Sequence, residues 1–356
     1  MTNLPSTEDE RYQDFILQGV SRTFALTIPQ LPEALRRVIG NAYLLCRITD
    51  TIEDDNALTS EQTRQLSEMF SEVVSGNTCA EEFSQTLYPL LSDHTIPAEH
   101  DLIKNTAAVI RITHSFNPTQ RAALERCVRI MAKGMADYQE TESLAGLKDL
   151  SAMNQYCYFV AGVVGEMLTE LFCDYSPTIN HHKPVLMKLS VSFGQGLQMT
   201  NILKDIWEDR QRGACWLPQD IFDKHGFDLK NLTPGMTDEK FQAGLAELLG
   251  IAKSHLRNAL IYTHLIPPEE KGIRRFCLWA IGMAILTLNN INKNRSFSEA
   301  NQVKINRRSV KATIIATSLF ARYNWALNLL FEITSKNLPD AGSFTDVILS
   351  DHIKNP

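Results

Sequence analysis

Gln198-Met199-Thr200-Asn201-Ile202-Leu203-Lys204-Asp205-Ile206-Trp207-Glu208-Asp209-Arg210-Gln211-Arg212 reads as a helix with one polar stripe. Gln198, Asn201, Asp205, Glu208 with Asp209, and Arg212 recur at i, i+3, i+7, i+10/11 and i+14, which keeps them on one face of a 3.6-residue repeat. Ile202, Leu203 and Ile206 lie off that stripe and pack against neighbours. Amides and carboxylates lined up inside an apolar protein are costly unless metal, phosphate or water satisfies them. Acids four apart, as Asp205 and Asp209 are, both reach a hard cation that keeps some water and takes its other oxygens from a phosphate.

Asp50-Thr51-Ile52-Glu53-Asp54-Asp55 repeats the pattern far upstream, and Tyr43, Arg47, Asp50 and Asp54 share a stripe at i, i+4, i+7 and i+11. Two acidic stripes on separate helices, each beside a cation (Arg47, Lys204), suggest a cavity that binds several Mg²⁺ ions and a diphosphate. Either cluster alone is equally well a solvated helix face. The matched pair favours the site.

The rest of the chain sets the frame. Of its 356 residues 44% are apolar, ample for a core, and the helical period recurs with no strand-period segment, internal repeat or Gly-rich dinucleotide fingerprint. The expected fold is all-α: a single-domain helical bundle over residues 1–356 with a polar site built from facing helices around a central cavity and a polar tail from about 336. Thr7 with Glu10 is read as the capping box of the first helix, and residues 56–118 as three amphipathic helices. Asn117 and Pro118 start a long helix whose Met131, Gly134, Met135 and Tyr138 line either a core or a tunnel. Residues 151–172 form a helix in which Ala161, Gly162 and Gly165 let a neighbour approach closely beside Tyr156. Further helices cover 237–264 and 269–292, and a last one runs to about Thr334.

A net charge of −6 without a basic block argues against nucleic acid as a partner. Seven cysteines without C-x-x-C spacing read as buried free thiols of a reducing, cytoplasmic compartment. The longest apolar-rich run, Phe276–Leu288, is 13 residues, too short to span a bilayer, so the expectation is no transmembrane helix.

With Tyr156-Cys157-Tyr158-Phe159-Val160-Ala161-Gly162-Val163-Val164-Gly165 between them, the two acidic motifs resemble the squalene and phytoene synthases from about Ser21 to about Arg308. The resemblance implies a class I isoprenoid synthase fold. It also implies condensation of two farnesyl diphosphates through presqualene diphosphate, followed by NADPH-dependent reduction to squalene. On that basis Asp50, Glu53, Asp54, Asp205, Glu208 and Asp209 are the candidate ligands of Mg²⁺, with Mn²⁺ as an alternative. Arg22, Arg47, Lys204, Gln198, Asn201 and Arg212 would hold diphosphate, and Arg22 belongs to the family's Ser-Arg-x-Phe element, here Ser21-Arg22-Thr23-Phe24. Tyr156, Tyr43 and Arg47 would serve catalysis, Tyr156 in proton removal or in orienting the departing diphosphate. Aromatic faces stabilise an allylic cation by about 2 kcal/mol when desolvated. Many relatives place an arginine where this chain has Ala214, so Arg210 or Arg212 would have to substitute. Long apolar substrates imply peripheral contact with a membrane surface.

Val303-Lys304-Ile305 followed by Asn306, Arg307 and Arg308 is the stretch that separates squalene formation from its rivals. Lys304, Arg307 and Arg308 would bind the extra phosphate of NADPH, for which arginine is well shaped. Without that role, the chain would stop at dehydrosqualene or phytoene; a rival of another class, an inactive lipid-binding or assembly relative, is disfavoured by both acidic motifs being intact.

Overall fold

Helices supply nearly all regular structure in the computed structural model, which describes residues 5–21, 24–139 and 143–341. A single bridge, Leu147 with Pro218, is the only β pairing among the described residues. Contacts divide the chain into two compact units, residues 1–141 with 166–181 and residues 142–165 with 182–356.

The first unit is built on the Glu33–Asp54 helix. Leu35, Val38, Ile39, Ala42, Leu45, Ile48 and Ile52 follow the helical repeat and are buried, each Leu or Ile contributing about 1.5–3 kcal/mol. That face packs on the Pro118–Gln139 helix, whose Met131 and Met135 are buried in the core. Tyr43, Arg47, Asp50, Glu53 and Asp54 lie off it and keep more exposure, so burial of one stripe fixes where the other stands. Asn117 accepts from Gln120 N–H at 2.9 Å, as its reading as a cap requires.

Two local expectations are corrected here. The capping box is Ser6 with Asp9, because Asp9 both accepts from Ser6 N–H (2.8 Å) and pairs with Arg111, while Glu10 pairs with Arg37 (2.6 Å). Residues 56–118 form four helices, Ser60–Ser75, Ala80–Leu87, Pro97–Lys104 and Thr106–His114, because the stretch opened by Pro97 is divided at Asn105, whose backbone (φ −106°, ψ 22°) leaves the helical region.

In the second unit the Lys183–Lys204 and Glu239–Leu265 helices make the most extensive pairing. Lys183–Lys204 also packs on the stretch around Gly162 so tightly that a Cβ at Gly194 would strike the Ala161 carbonyl, and one at Gly165 the Ser190 carbonyl. The small residues thus have the packing reason expected of them. Tyr158–Gly162 is a turn of π-helix inside the continuous helical segment 150–175, an irregularity frequent at functional sites. That segment is long and apolar enough to cross a bilayer, which the sequence reading overlooked, but half of its most apolar window is buried in protein. The expected last helix is two, Arg307–Phe320 and Asn324–Ser335. Six of the seven cysteines are buried and all are free; Cys79 is exposed.

His255 joins the main pairing: its Nδ1 lies 2.8 Å from Ser192 Oγ, which accepts from Asn258 Nδ2 at 3.0 Å. Burial lowers its pKa to about 4. Between that value and about 6.5 the unfolded chain binds a proton that the folded chain refuses, so stability falls as pH drops through this window. From this group alone the fold is expected to lose about 2 kcal/mol between pH 8 and pH 5. Urea denaturation at the two values checks it, and His255→Asn should flatten that part of the dependence.

Candidate active site

Arg47 is the hub of the first acidic set. Its guanidinium lies 3.8 Å from Asp50 and 3.6 Å from Glu99, and Nη2 donates to Tyr43 Oη at 3.1 Å. Burial works against its charge, yet Asp50, Tyr43 and Glu99 together raise its pKa. Tyr43 in turn donates to the Val20 carbonyl at 3.0 Å, so its hydroxyl fixes Arg47 and is itself held. Desolvation lifts the Asp50 carboxyl to about 7; Arg47 opposes the shift, and Asp54 and Glu99 add to it. Glu99 is raised by the same desolvation. Three acids around one cation leave an excess of negative charge in a half-buried place, and a divalent cation fits that excess.

Glu99 was missed by sequence reading. It stands alone in the first turn of Pro97–Lys104, and only folding brings it to Arg47. Asp55, by contrast, is buried and accepts from Ser92 N–H (2.8 Å), Thr95 Oγ1 (2.6 Å) and Ala57 N–H (2.9 Å), which hold its pKa down against burial. It closes a turn.

The second acidic set does not lie on one unbroken helix. Lys183–Lys204 ends at Asp205 (φ −100°, ψ 16°) and Ile206–Gln211 resumes beyond it. Asp205 thus occupies the sparsely allowed bridge region, where many active-site residues sit, and no Pro or Gly marks the bend. Its carboxylate lies 3.1 Å from Lys204 Nζ; desolvation raises its pKa, with Lys204 opposing and Glu208 adding. Asp209 is buried and pairs with Arg212 at 2.6 Å. Glu208 accepts from Ala300 N–H at 2.8 Å through one oxygen, while Oε2 is buried with no hydrogen-bond partner. Asn201 Nδ2 lies 3.5 Å from Gln198 Oε1. Ala214 is buried, Arg210 donates to the Leu144 carbonyl at 3.0 Å, and Arg212 is held by Asp209.

No three described acids, histidines or cysteines converge as a preformed metal cage. Taken within each unit, Asp50 in the first, and Asp205 with the orphaned Glu208 oxygen in the second, instead suit Mg²⁺, which keeps several waters and binds through one or two carboxylates plus substrate phosphate.

Tyr156 is buried and stacks face to face on Trp216, ring centroids 4.0 Å apart and 5° from parallel. Its position two residues before the π-turn that begins at Tyr158 was not legible beforehand. Lys304, Arg307 and Arg308 are exposed, and Arg307 opens a helix capped by Asn306, which accepts from Ser309 N–H at 2.8 Å. The helix has no acid in its first turn, so two arginines reinforce a helix N-terminus that already attracts anions. Asn306, the departure from the basic run, is there to cap. Arg22 lies outside the described residues.

Comparison with known proteins gives the family and the fold. The squalene/phytoene synthase profile matches residues 17–309. Squalene synthase ERG9 of Gibberella zeae is 30% identical over 85% of this chain and 63% of its own length, so the chain spans less than two thirds of that relative. The solved structure of TcSQS with the ligand E5700 superposes with a TM-score of 0.75, covering 94% of this chain and 92% of that one at 21% identity. A dehydrosqualene synthase in complex with ligand gives 0.64, covering 88% and 96% at 20% identity. At such identities the superpositions speak for the fold, the all-α isoprenoid synthase fold. Matched by the profile over most of its length, the chain belongs to the squalene/phytoene synthase family.

Proposed function

We propose that this chain is a squalene synthase that joins two farnesyl diphosphates head to head through presqualene diphosphate and then reduces that intermediate to squalene. The observation that carries the reading is that each unit holds a carboxylate beside a cation, Asp50 at 3.8 Å from Arg47 and Asp205 at 3.1 Å from Lys204, with both carboxyls lifted by desolvation. In this reading the single-domain expectation means that both sets serve one reaction.

Asp50, Glu53 and Asp54, and Asp205, Glu208 and Asp209, would hold Mg²⁺ or Mn²⁺, which draws charge from a departing diphosphate. Arg47, Lys204, Arg212 and Arg22 would bind the leaving group, with Gln198 and Asn201 donating amide hydrogen bonds. Breaking the carbon–oxygen bond leaves an allylic cation that water would destroy, so apolar walls protect it. The rings of Tyr43 and Tyr156 would stabilise it; Trp216 covers one face of the buried Tyr156 and fixes the ring's tilt. Lys304, Arg307 and Arg308 would hold NADPH, the hydride donor. The enzyme would work in the cytoplasm, peripheral to a membrane that stores its apolar product.

The reductive half is tested separately. Lys304→Ala with Arg307→Ala is expected to let presqualene diphosphate accumulate while condensation proceeds at the wild-type rate, because only the cofactor's phosphate contact is lost. Product chromatography at limiting NADPH reads the ratio, and unchanged squalene output would place the cofactor elsewhere.

A further inference from the structure

Twelve large apolar side chains stand exposed among the described residues, and six of them fall between positions 315 and 333. The other six are scattered singly. The cluster is Ile315, Leu319, Tyr323, Trp325, Leu329 and Ile333, each more than half exposed. Lys311, Ile315 and Leu319 follow one another at i+4 steps along Arg307–Phe320, as do Trp325, Leu329 and Ile333 along Asn324–Ser335. Each is therefore one continuous stripe.

The inner faces of the same two helices are apolar as well. Ala312, Ala316, Leu327 and Phe331 close an apolar groove of about 310 Å³ together with Ile281 and Ile285. Helices apolar on both sides need a second apolar neighbour. Charge says which. Residues 303–336 carry six lysines and arginines and one acid, Glu332, in a chain whose net charge is −6. Glu332 is neutralised by Arg257 at 2.6 Å. Lys311, Arg322 and Lys336, which lie outside the candidate cofactor set, are all exposed.

We propose that the outer faces of helices Arg307–Phe320 and Asn324–Ser335 dock in the plane of an anionic lipid bilayer. Aliphatic side chains would enter the acyl boundary, Tyr323 and Trp325 would sit at headgroup level, and the cations would meet lipid phosphate. A second copy fits worse, because a two-fold contact would set Lys311 and Arg322 against their own equivalents. The inference rests on the reading of the chain as acting at a membrane surface, and it names the surface.

The test uses the full chain with vesicles of phosphatidylcholine, with and without phosphatidylserine. Trp207, Trp216 and Trp279 are buried, so a blue shift of tryptophan fluorescence on adding vesicles reports on Trp325. The expected result is a blue shift and co-sedimentation that favour the phosphatidylserine vesicles. Leu319→Glu with Leu329→Glu, and separately Lys311→Glu with Arg322→Glu, should each weaken vesicle binding about tenfold or more. Both should keep condensation activity on detergent-solubilised farnesyl diphosphate, which also certifies the fold. Vesicle binding with no Trp325 shift and no effect of either double variant would overturn the named surface and leave the membrane reading standing. No vesicle binding at all would overturn both. Oligomers dissolved by Leu319→Glu with Leu329→Glu would make the face a self-contact and overturn the proposal. Vesicle binding as expected from a chain that forms no product would instead count against the proposed activity alone.

Discussion

Asp54→Asn is expected to slow consumption of farnesyl diphosphate by on the order of 10³-fold, about 4 kcal/mol of transition-state stabilisation, at saturating Mg²⁺. The substitution keeps size and removes one charge from the set formed by Asp50, Glu99 and Arg47. Asp54 is exposed and is the last residue of its helix, where a carboxylate opposes the helix dipole, so stability should stay level or rise slightly. Asp209→Asn should cost as much activity but also some stability, because Asp209 is buried against Arg212. Measuring turnover and melting temperature together separates the two effects. Near wild-type turnover in either variant would remove that carboxylate from the metal–diphosphate role.

The largest stability effect is expected at Arg274. It is fully buried, and Nε donates to the Ala321 carbonyl at 2.6 Å, Nη1 to the Ile266 carbonyl at 2.7 Å and Nη2 to the side chain of Asn324. All three acceptors belong to chain turns: the end of Glu239–Leu265 and the corner between the last two helices. Arg274→Met fills similar volume and leaves buried carbonyls without a donor, each a loss of about 1–3 kcal/mol. A total loss of about 3 kcal/mol or more is expected, roughly 4 °C or more in melting temperature for a chain of 356 residues. Arg274→Lys should rescue little, since an ammonium does not reproduce the planar fork. A variant that melts with the wild type would mean that this corner is held by other contacts.

What was legible in the sequence follows from how local each signal is. The stripe of Tyr43, Arg47, Asp50 and Asp54 could be read because its helix is unbroken and its other face is apolar, so periodicity alone orients it. The bend at Asp205 could not: neither Pro nor Gly announces it, and backbone bonds from Asp205 to Asn201 and from Asp209 to Asp205 run across it as in a helix. Glu99 reaches Arg47 through tertiary packing, for which a single acid after a proline gives no sign. Asp55 differs from Asp54 in nothing but its neighbours, Ser92 and Thr95, far along the chain. The corner at Ala321 was hidden for a similar reason, since its anchor, Arg274, lies on another helix and reads as an ordinary cation.

The central claim is the reaction itself, and product analysis tests it most directly. Purified protein is incubated with farnesyl diphosphate and Mg²⁺, with and without NADPH; the products are treated with phosphatase, so that diphosphates are read as their alcohols, and the extract is resolved by gas chromatography with mass detection. The account predicts squalene with NADPH, and presqualene diphosphate without it. Dehydrosqualene as the end product in the presence of NADPH would contradict it, and so would farnesyl diphosphate recovered unchanged.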